Sequence, residues 1–105
     1  MSNSNKGYSL PKYQKLISKL VTERGFGEET VSEVFTLLIE EIGELAKAIR
    51  KAGGQKVDHA SKVHEISEEA ADVFWLLIDL CNRLDIDLEK AFQAKETKNE
   101  SRVWQ

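Results

Sequence analysis

The 105-residue sequence has a single cysteine, a single proline and no excess of basic residues. Cys81 alone excludes an internal disulfide and a cysteine-based zinc site. The sequence has no apolar run long enough to span a bilayer, and its start is polar, without a signal-peptide core. Fifteen Lys and Arg against 18 Asp and Glu give a net charge of −3, which argues against nucleic-acid binding. We therefore expect a cytoplasmic protein with neither nucleic acid nor membrane as a partner.

The rarity of proline favours long helices, and apolar residues recur at intervals of three and four. We expect residues 1–9 to form a flexible N-terminal tail and residues 10–105 to form a single helical domain. The pattern predicts an all-α fold of four helices, at about residues 11–23, from 29 or 30 to 51, 62–84 and 88–98, with a loop at 53–61.

The third predicted helix is apolar around nearly its whole circumference between Val73 and Cys81. Such a helix must be buried on all sides, and four short helices can hardly surround one of their own members. We therefore expect a homo-oligomer whose interface uses this helix. The alternative is that the N-terminal segment covers one side of it.

Phe35 and Trp75 have the helical spacing of core residues, so we expect both to lie in the core. Trp104 is therefore the freer candidate for stacking on a ligand.

Seven of the 18 acidic residues fall in two short stretches, within residues 40–44 and 65–72. Acidic residues three or four apart on a helix face each other and repel. Several of them also border apolar positions, where an uncompensated carboxylate is costly. The local acidity therefore needs a cause. A solvated acidic face would explain Glu40, Glu65 and Glu68 without any function.

Four of these acids make a stronger pattern. Two antiparallel helices would bring Glu41 and Glu44 opposite Glu69 and Asp72, which forms a cage of four carboxylates. Hard oxygen ligands of this kind suit Mg²⁺, with Mn²⁺ as a substitute. A di-iron helical bundle is excluded because no histidine lies three residues after a glutamate, and zinc would require more His or Cys ligands.

Three short motifs occur in order and resemble the signatures of the MazG-like nucleotide pyrophosphohydrolases. Residues 38–46, LIEEIGELA, resemble the EExxE signature, and residues 69–73, EAADV, resemble the ExxD signature. Lys95, Asn99 and Arg102 match the C-terminal KxxxNxxR element. Many relatives follow this arginine with an aromatic residue and a proline, whereas Val103 follows it here.

The resemblance implies a four-helix MazG-like bundle that is completed by homo-oligomerisation, as a homodimer or a dimer of dimers. It implies Mg²⁺-dependent hydrolysis of a nucleoside triphosphate to the monophosphate and pyrophosphate, in the service of nucleotide-pool house-cleaning. It assigns residues to roles: Glu41, Glu44, Glu69 and Asp72 as metal ligands, Glu40 and Glu41 in catalysis, and Lys95, Asn99 and Arg102 in substrate binding.

Two alternatives remain open at this stage. Residues 68–72, EEAAD, are also similar to the phosphoribosyl-ATP pyrophosphohydrolases of histidine biosynthesis, although residues 40–44 fit that family less well. The other alternative is a helical interaction module that keeps the fold and has lost activity. The acids at all four ligand positions count against it.

Overall fold

The computed structural model describes residues 7–54 and 59–102, with side chains for residues 7–53 and 64–102. Within these ranges the chain is all-α and has no strand, as predicted. None of the described helices is both long and apolar enough to cross a membrane. The helices are α1 (Leu10–Glu23), α2 (Val31–Gly54), α3 (His59–Arg83) and α4 (Leu88–Glu100).

The connection between α2 and α3 is shorter than the predicted loop at 53–61. Helix α2 continues through Gly53 to Gly54, and α3 begins at His59. Glycine disfavours a helix by about 1 kcal/mol relative to alanine, so it weakens the last turn without ending it. The first six residues of the predicted tail lie outside the described residues.

Local sequence explains where two of the helices begin. At the start of α2 the Thr30 amide donates to Glu33 Oε1 at 2.8 Å, and the Glu33 amide donates to Thr30 Oγ1 at 3.1 Å. This reciprocal pair is a capping box, which satisfies two amides that have no helical partner. At the start of α4 the Asp87 carboxylate accepts a hydrogen bond from the Lys90 amide at 3.1 Å and so caps the helix.

The end of α1 sets the course of the segment that follows it. Gly25 has a φ of 79°, a left-handed conformation that glycine adopts without strain. The Phe26 amide bonds to the Val21 carbonyl at 2.9 Å, and the Gly25 amide bonds to the Thr22 carbonyl at 3.2 Å. This pair of bonds is a Schellman motif. It turns the chain out of the helix and into residues 24–30, which we call the α1–α2 loop.

Helix α3 is central, since it packs against both α1 and α2, whereas α4 contacts α1. The core cluster joins Ile17 and Val21 of α1 to Ile78 of α3, and Leu10, Trp75 and Leu88 pack around it. On α2, Val34 and Leu38 are buried. The packing of α2 against α3 supplies the helix pair that the predicted acidic cage requires.

Gln14 links three elements at one end of the bundle. Its side-chain amide donates to Asn82 Oδ1 at 2.8 Å and to the Ile86 carbonyl at 2.9 Å, and its Oε1 accepts from the Leu88 amide at 3.0 Å. The Asn82 amide returns a bond to the Gln14 carbonyl at 2.9 Å. These contacts fix the end of α3 and the start of α4 against α1.

The surface of a single chain retains much apolar area. Helix α1 covers one side of α3, as the alternative reading of that helix supposed, yet Phe74 and Leu77 remain 36% and 38% exposed. The expectation that Phe35 lies in the core is wrong for the single chain, because its side chain is 50% exposed. Phe35 belongs to a stripe on the outer side of α2 that also includes Ile39, Ile42 and Ile49, each more than 40% exposed.

Candidate functional site

Three of the four predicted metal ligands lie together between α2 and α3. Glu41 of α2 and Glu69 and Asp72 of α3 each offer a carboxylate oxygen within 4.8 Å of the others. Glu41 and Glu69 are half-buried, and Asp72 is exposed. We call this group the acidic cluster. Helix α2 packs against α3, and Leu38 of α2 is buried. Glu41 lies one turn after Leu38, on nearly the same side of the helix.

The electrostatics of the cluster are unfavourable in the absence of a cation. Burial raises the pKa of the Glu41 carboxyl above its ordinary value of 4.5, and a side-chain hydrogen bond with Glu69 raises it further. The neighbouring charges of Asp72, Glu69 and Glu44 act in the same direction. Glu69 Oε1 is also buried with no hydrogen-bond partner among the described residues. A buried carboxylate oxygen without a partner is costly, so the environment of this Glu69 oxygen is unfavourable.

The donor set fits a hard divalent cation. Two oxygens bound to one Mg²⁺ are at most about 4.2 Å apart, because each bond is about 2.1 Å long. The oxygens of the acidic cluster lie within 4.8 Å, so small side-chain rotations would bring all three to one ion. The orphaned Glu69 oxygen would then gain a partner.

The remaining acidic candidates lie outside the cluster. Glu44 is exposed, although its charge contributes to the raised pKa of Glu41. It lines a small cavity of about 80 Å³ together with Glu65 and Glu69, so it is a neighbour of the cluster. Glu40 is exposed on α2. Its assignment to catalysis and that of Glu44 to metal binding remain predictions.

A cleft of about 380 Å³ opens beside the acidic cluster. Glu41 and Asp72 line it, so the cleft is continuous with two of the three clustered acids. Its other walls come from α2, α3 and the α1–α2 loop: Arg24, Phe26, Leu37, Trp75 and Leu76. Trp75 packs against the core as expected and also faces the cleft. The cleft thus combines carboxylates, one guanidinium group and aromatic surface.

The predicted substrate-binding residues are not part of this cleft. Lys95, Asn99 and Arg102 lie on or just after α4, which contacts α1. Lys95 is exposed, and the Asn99 amide donates to Glu96 Oε2 at 3.1 Å. None of the three lines the cleft beside the acidic cluster. Trp104, the other stacking candidate, lies outside the described residues.

Comparison with known proteins decides the family. The family model of the MazG nucleotide pyrophosphohydrolase domain matches residues 29–104, which is most of the chain and includes every predicted site residue. The chain belongs to the MazG nucleotide pyrophosphohydrolase family. It is also 42% identical over 55 residues to the uncharacterized protein YpjD of Bacillus subtilis strain 168. The match covers 51% of this chain and 50% of that protein, so the chain spans about half the length of the curated relative it matches.

The MazG match confirms the resemblance inferred from the motifs, and it extends across α2, α3 and α4. It begins at residue 29, after the part of the α1–α2 loop that carries Arg24 and Phe26. Motif reasoning missed both of these cleft residues. The sequence contained one indirect signal: Asp79 interrupts an apolar run, and Arg83 follows it four residues later. That spacing allows an ion pair on one helix.

Proposed function

We propose that this MazG-family chain hydrolyses nucleoside triphosphates, (d)NTP + H₂O giving (d)NMP + pyrophosphate, in a reaction that depends on Mg²⁺. The observation that carries the proposal is the acidic cluster of Glu41, Glu69 and Asp72, with its unpartnered Glu69 oxygen. An acidic site repels a triphosphate unless cations lie between them. Mn²⁺ is expected to substitute because it also favours oxygen ligands.

The roles of the acidic residues follow from their positions and from the family motif. Glu41, Glu69 and Asp72 would hold the ion, with Glu44 as a fourth ligand after a change of rotamer. The bound ion would neutralise phosphate charge and lower the pKa of a bound water. Glu40, or a Glu41 oxygen not engaged by the ion, would accept the proton of the attacking water. The bond broken is the anhydride between the α- and β-phosphates.

We propose that the nucleotide binds in the cleft. It adjoins the carboxylates, and its aromatic and apolar walls offer a surface on which a base can stack. We further propose that Lys95, Asn99 and Arg102 bind the substrate across a homo-oligomer interface, since α4 contacts α1 in its own chain. Basic and amide groups there would form charge-assisted hydrogen bonds to phosphate or sugar oxygens.

A pyrophosphate-release screen tests the proposal. Standard and modified NTPs and dNTPs are incubated with Mg²⁺, Mn²⁺ or EDTA, and both products are identified. Metal-dependent release of pyrophosphate with the monophosphate would support the proposal. The modified nucleotides test the house-cleaning role that the resemblance implies. Phosphoribosyl-ATP belongs in the panel, and activity on it alone would replace the proposed substrate. Absence of all hydrolysis would refute the proposed activity.

A further inference from the structure

The side chain of Arg83 makes contacts that the proposed chemistry does not use. It is 13% exposed, and its Nε donates to Asp79 Oδ1 at 2.9 Å. Asp79 is itself only 3% exposed and is the buried charged residue of the described core. A buried ion pair of this kind contributes little net stability compared with apolar packing, so its presence calls for a reason other than stability.

The two terminal nitrogens of Arg83 bind the α1–α2 loop. Nη2 donates to the Phe26 carbonyl at 2.8 Å, and Nη1 donates to the Glu29 carbonyl. Nη2 also lies 3.9 Å from Glu29 Oε1. These partners are 54 and 57 residues away in sequence. Because the guanidinium is a planar fork with fixed donor directions, it can hold two carbonyls and one carboxylate at once, which lysine cannot do.

The loop held in this way forms a wall of the cleft. Arg24 and Phe26, at its beginning, line the cleft together with Glu41 and Asp72. The Schellman motif fixes the loop at Gly25, and Arg83 fixes it again at residues 26 and 29. The Arg24 side chain is exposed and has no ion-pair partner in the described part of the chain. Its guanidinium is therefore available to a ligand in the cleft.

We propose that Arg24 is a substrate-binding residue, which contacts phosphate oxygens of the nucleotide, and that Arg83 is a positioning residue, which acts through the loop to hold Arg24 in the cleft. This inference rests on the proposed function and adds a cationic contact from the α1–α2 loop, outside the three sequence motifs. Arg24 supplies positive charge to a cleft that is also lined by Glu41 and Asp72. Arg83 does not line the cleft, and its hydrogen bonds go to Asp79 and to the α1–α2 loop.

The test compares Arg83→Lys, Arg24→Gln and the double variant with Arg50→Lys as the matched control, because Arg50 is exposed on α2. Loss of one charge-assisted contact corresponds to a rise in KM of about tenfold. We expect that rise in both single variants, with kcat changed less than about twofold. The double variant is expected to be no worse than the poorer single variant, because both changes remove the same contact.

A second readout follows the loop without substrate. Trypsin cleaves after Arg24, and we expect that cleavage to accelerate in Arg83→Lys and to stay at the wild-type rate in Arg50→Lys. If Arg83→Lys fails to fold, the double variant Arg83→Met/Asp79→Met replaces it. Changing both partners of the ion pair leaves no unpaired buried charge.

The possible results separate this inference from the proposed function. Additive KM effects, or a loss of kcat at constant KM, would overturn the link between Arg83 and Arg24. Unchanged cleavage after Arg24 would overturn the positioning role. If the wild-type chain hydrolysed nothing in the nucleotide panel, the proposed function would fail and with it the role of Arg24 in substrate binding. The trypsin result alone would then decide whether Arg83 positions the α1–α2 loop.

Discussion

Glu69 shows at the scale of one residue how an unfavourable environment marks a site. Its Oε1 is buried without a partner in the described region, beside two further carboxylates. We predict that Glu69→Gln lowers the affinity for Mn²⁺ and the turnover by at least about 100-fold, because a metal ligand is lost. Titration calorimetry with Mn²⁺ and the pyrophosphate assay measure the two effects.

Glu68→Gln is the matched control for Glu69→Gln. Glu68 precedes Glu69 in the sequence, and its change to Gln removes the same charge. The Glu68 side chain, however, is 66% exposed and pairs with His64 at 3.4 Å. Exposed pairs contribute little, so both readouts should remain within about twofold of wild type. Equal losses in the two variants would show that acidity in general matters, and wild-type turnover in Glu69→Gln would contradict the metal site.

Glu41 gives the protein a predictable dependence on pH. Its raised pKa means that the folded state binds this proton more tightly than the unfolded state does, whose carboxyl titrates near 4.5. The free energy of unfolding therefore increases as the pH falls from the folded pKa of Glu41 towards 4.5. Above the folded pKa, the full cost of keeping the Glu41 carboxylate charged in the folded state is present. In EDTA, Glu41 should therefore contribute a rise in the melting temperature as the pH is lowered through this window.

Glu41→Gln isolates that component. We predict that the variant is more stable than wild type near pH 7, by about 0.5 kcal/mol, since like charges are relieved. Its melting temperature in EDTA should also depend less on pH. Thermal unfolding of both proteins at several pH values measures this, with Glu68→Gln as the reference for loss of one charge. Parallel pH profiles for wild type and Glu41→Gln would refute the interpretation.

At the scale of secondary structure, hydrogen bonds between elements add to apolar packing. Gln14 makes three side-chain bonds, to Asn82, to the Ile86 carbonyl and to the Leu88 amide. We predict that Gln14→Ala lowers the free energy of unfolding by about 2–3 kcal/mol, because each bond contributes about 1 kcal/mol. Urea unfolding followed by circular dichroism measures the loss. Gln93→Ala, at an exposed position on α4, should change stability by less than about 0.5 kcal/mol; a comparable loss there would contradict the argument.

The helices themselves were predictable because their causes are local. Apolar periodicity and the scarcity of proline predict four helices, and each predicted end lies close to the observed one except at the α2–α3 connection. There Gly53 and Gly54 stay helical, since glycine costs too little to stop a helix that is already formed. The antiparallel α2–α3 pair likewise follows from two apolar faces joined by a short connection.

The site was only partly predictable, because part of it depends on contacts between distant residues. Helical spacing brought out Glu41, Glu69 and Asp72, and the structure places these three together. Glu44 lies further along α2 and is exposed, and its assignment as a fourth ligand stays a prediction. The cleft wall formed by Arg24 depends on the Arg83 contacts with the α1–α2 loop, and no periodic pattern encodes a contact of that kind.

At the scale of the whole molecule, two features are not explained by a single copy of the chain. The α2 stripe of Phe35, Ile39, Ile42 and Ile49 is exposed, although large apolar patches normally mark an interface. The predicted substrate-binding residues on α4 also do not line the cleft of their own chain. A second copy would resolve both if it covered the α2 stripe and brought its α4 to the acidic cluster. Ile39→Glu should then give monomers in light scattering, whereas Lys15→Glu on α1 should not.

Mixing two impaired variants tests whether α4 acts between chains. At a substrate concentration well below KM, we predict that Glu69→Gln and Lys95→Ala alone each have at most about a tenth of the wild-type activity, because one lacks a metal ligand and the other a phosphate contact. In a dimer that contains one of each, the Lys95→Ala chain keeps its acids and receives an intact α4 from its partner, so one of two sites works. Random reassortment makes about half of the dimers mixed, so activity should recover to about a quarter of the wild-type value. If α4 served its own chain, every site in the mixture would carry one defect, and no activity would return.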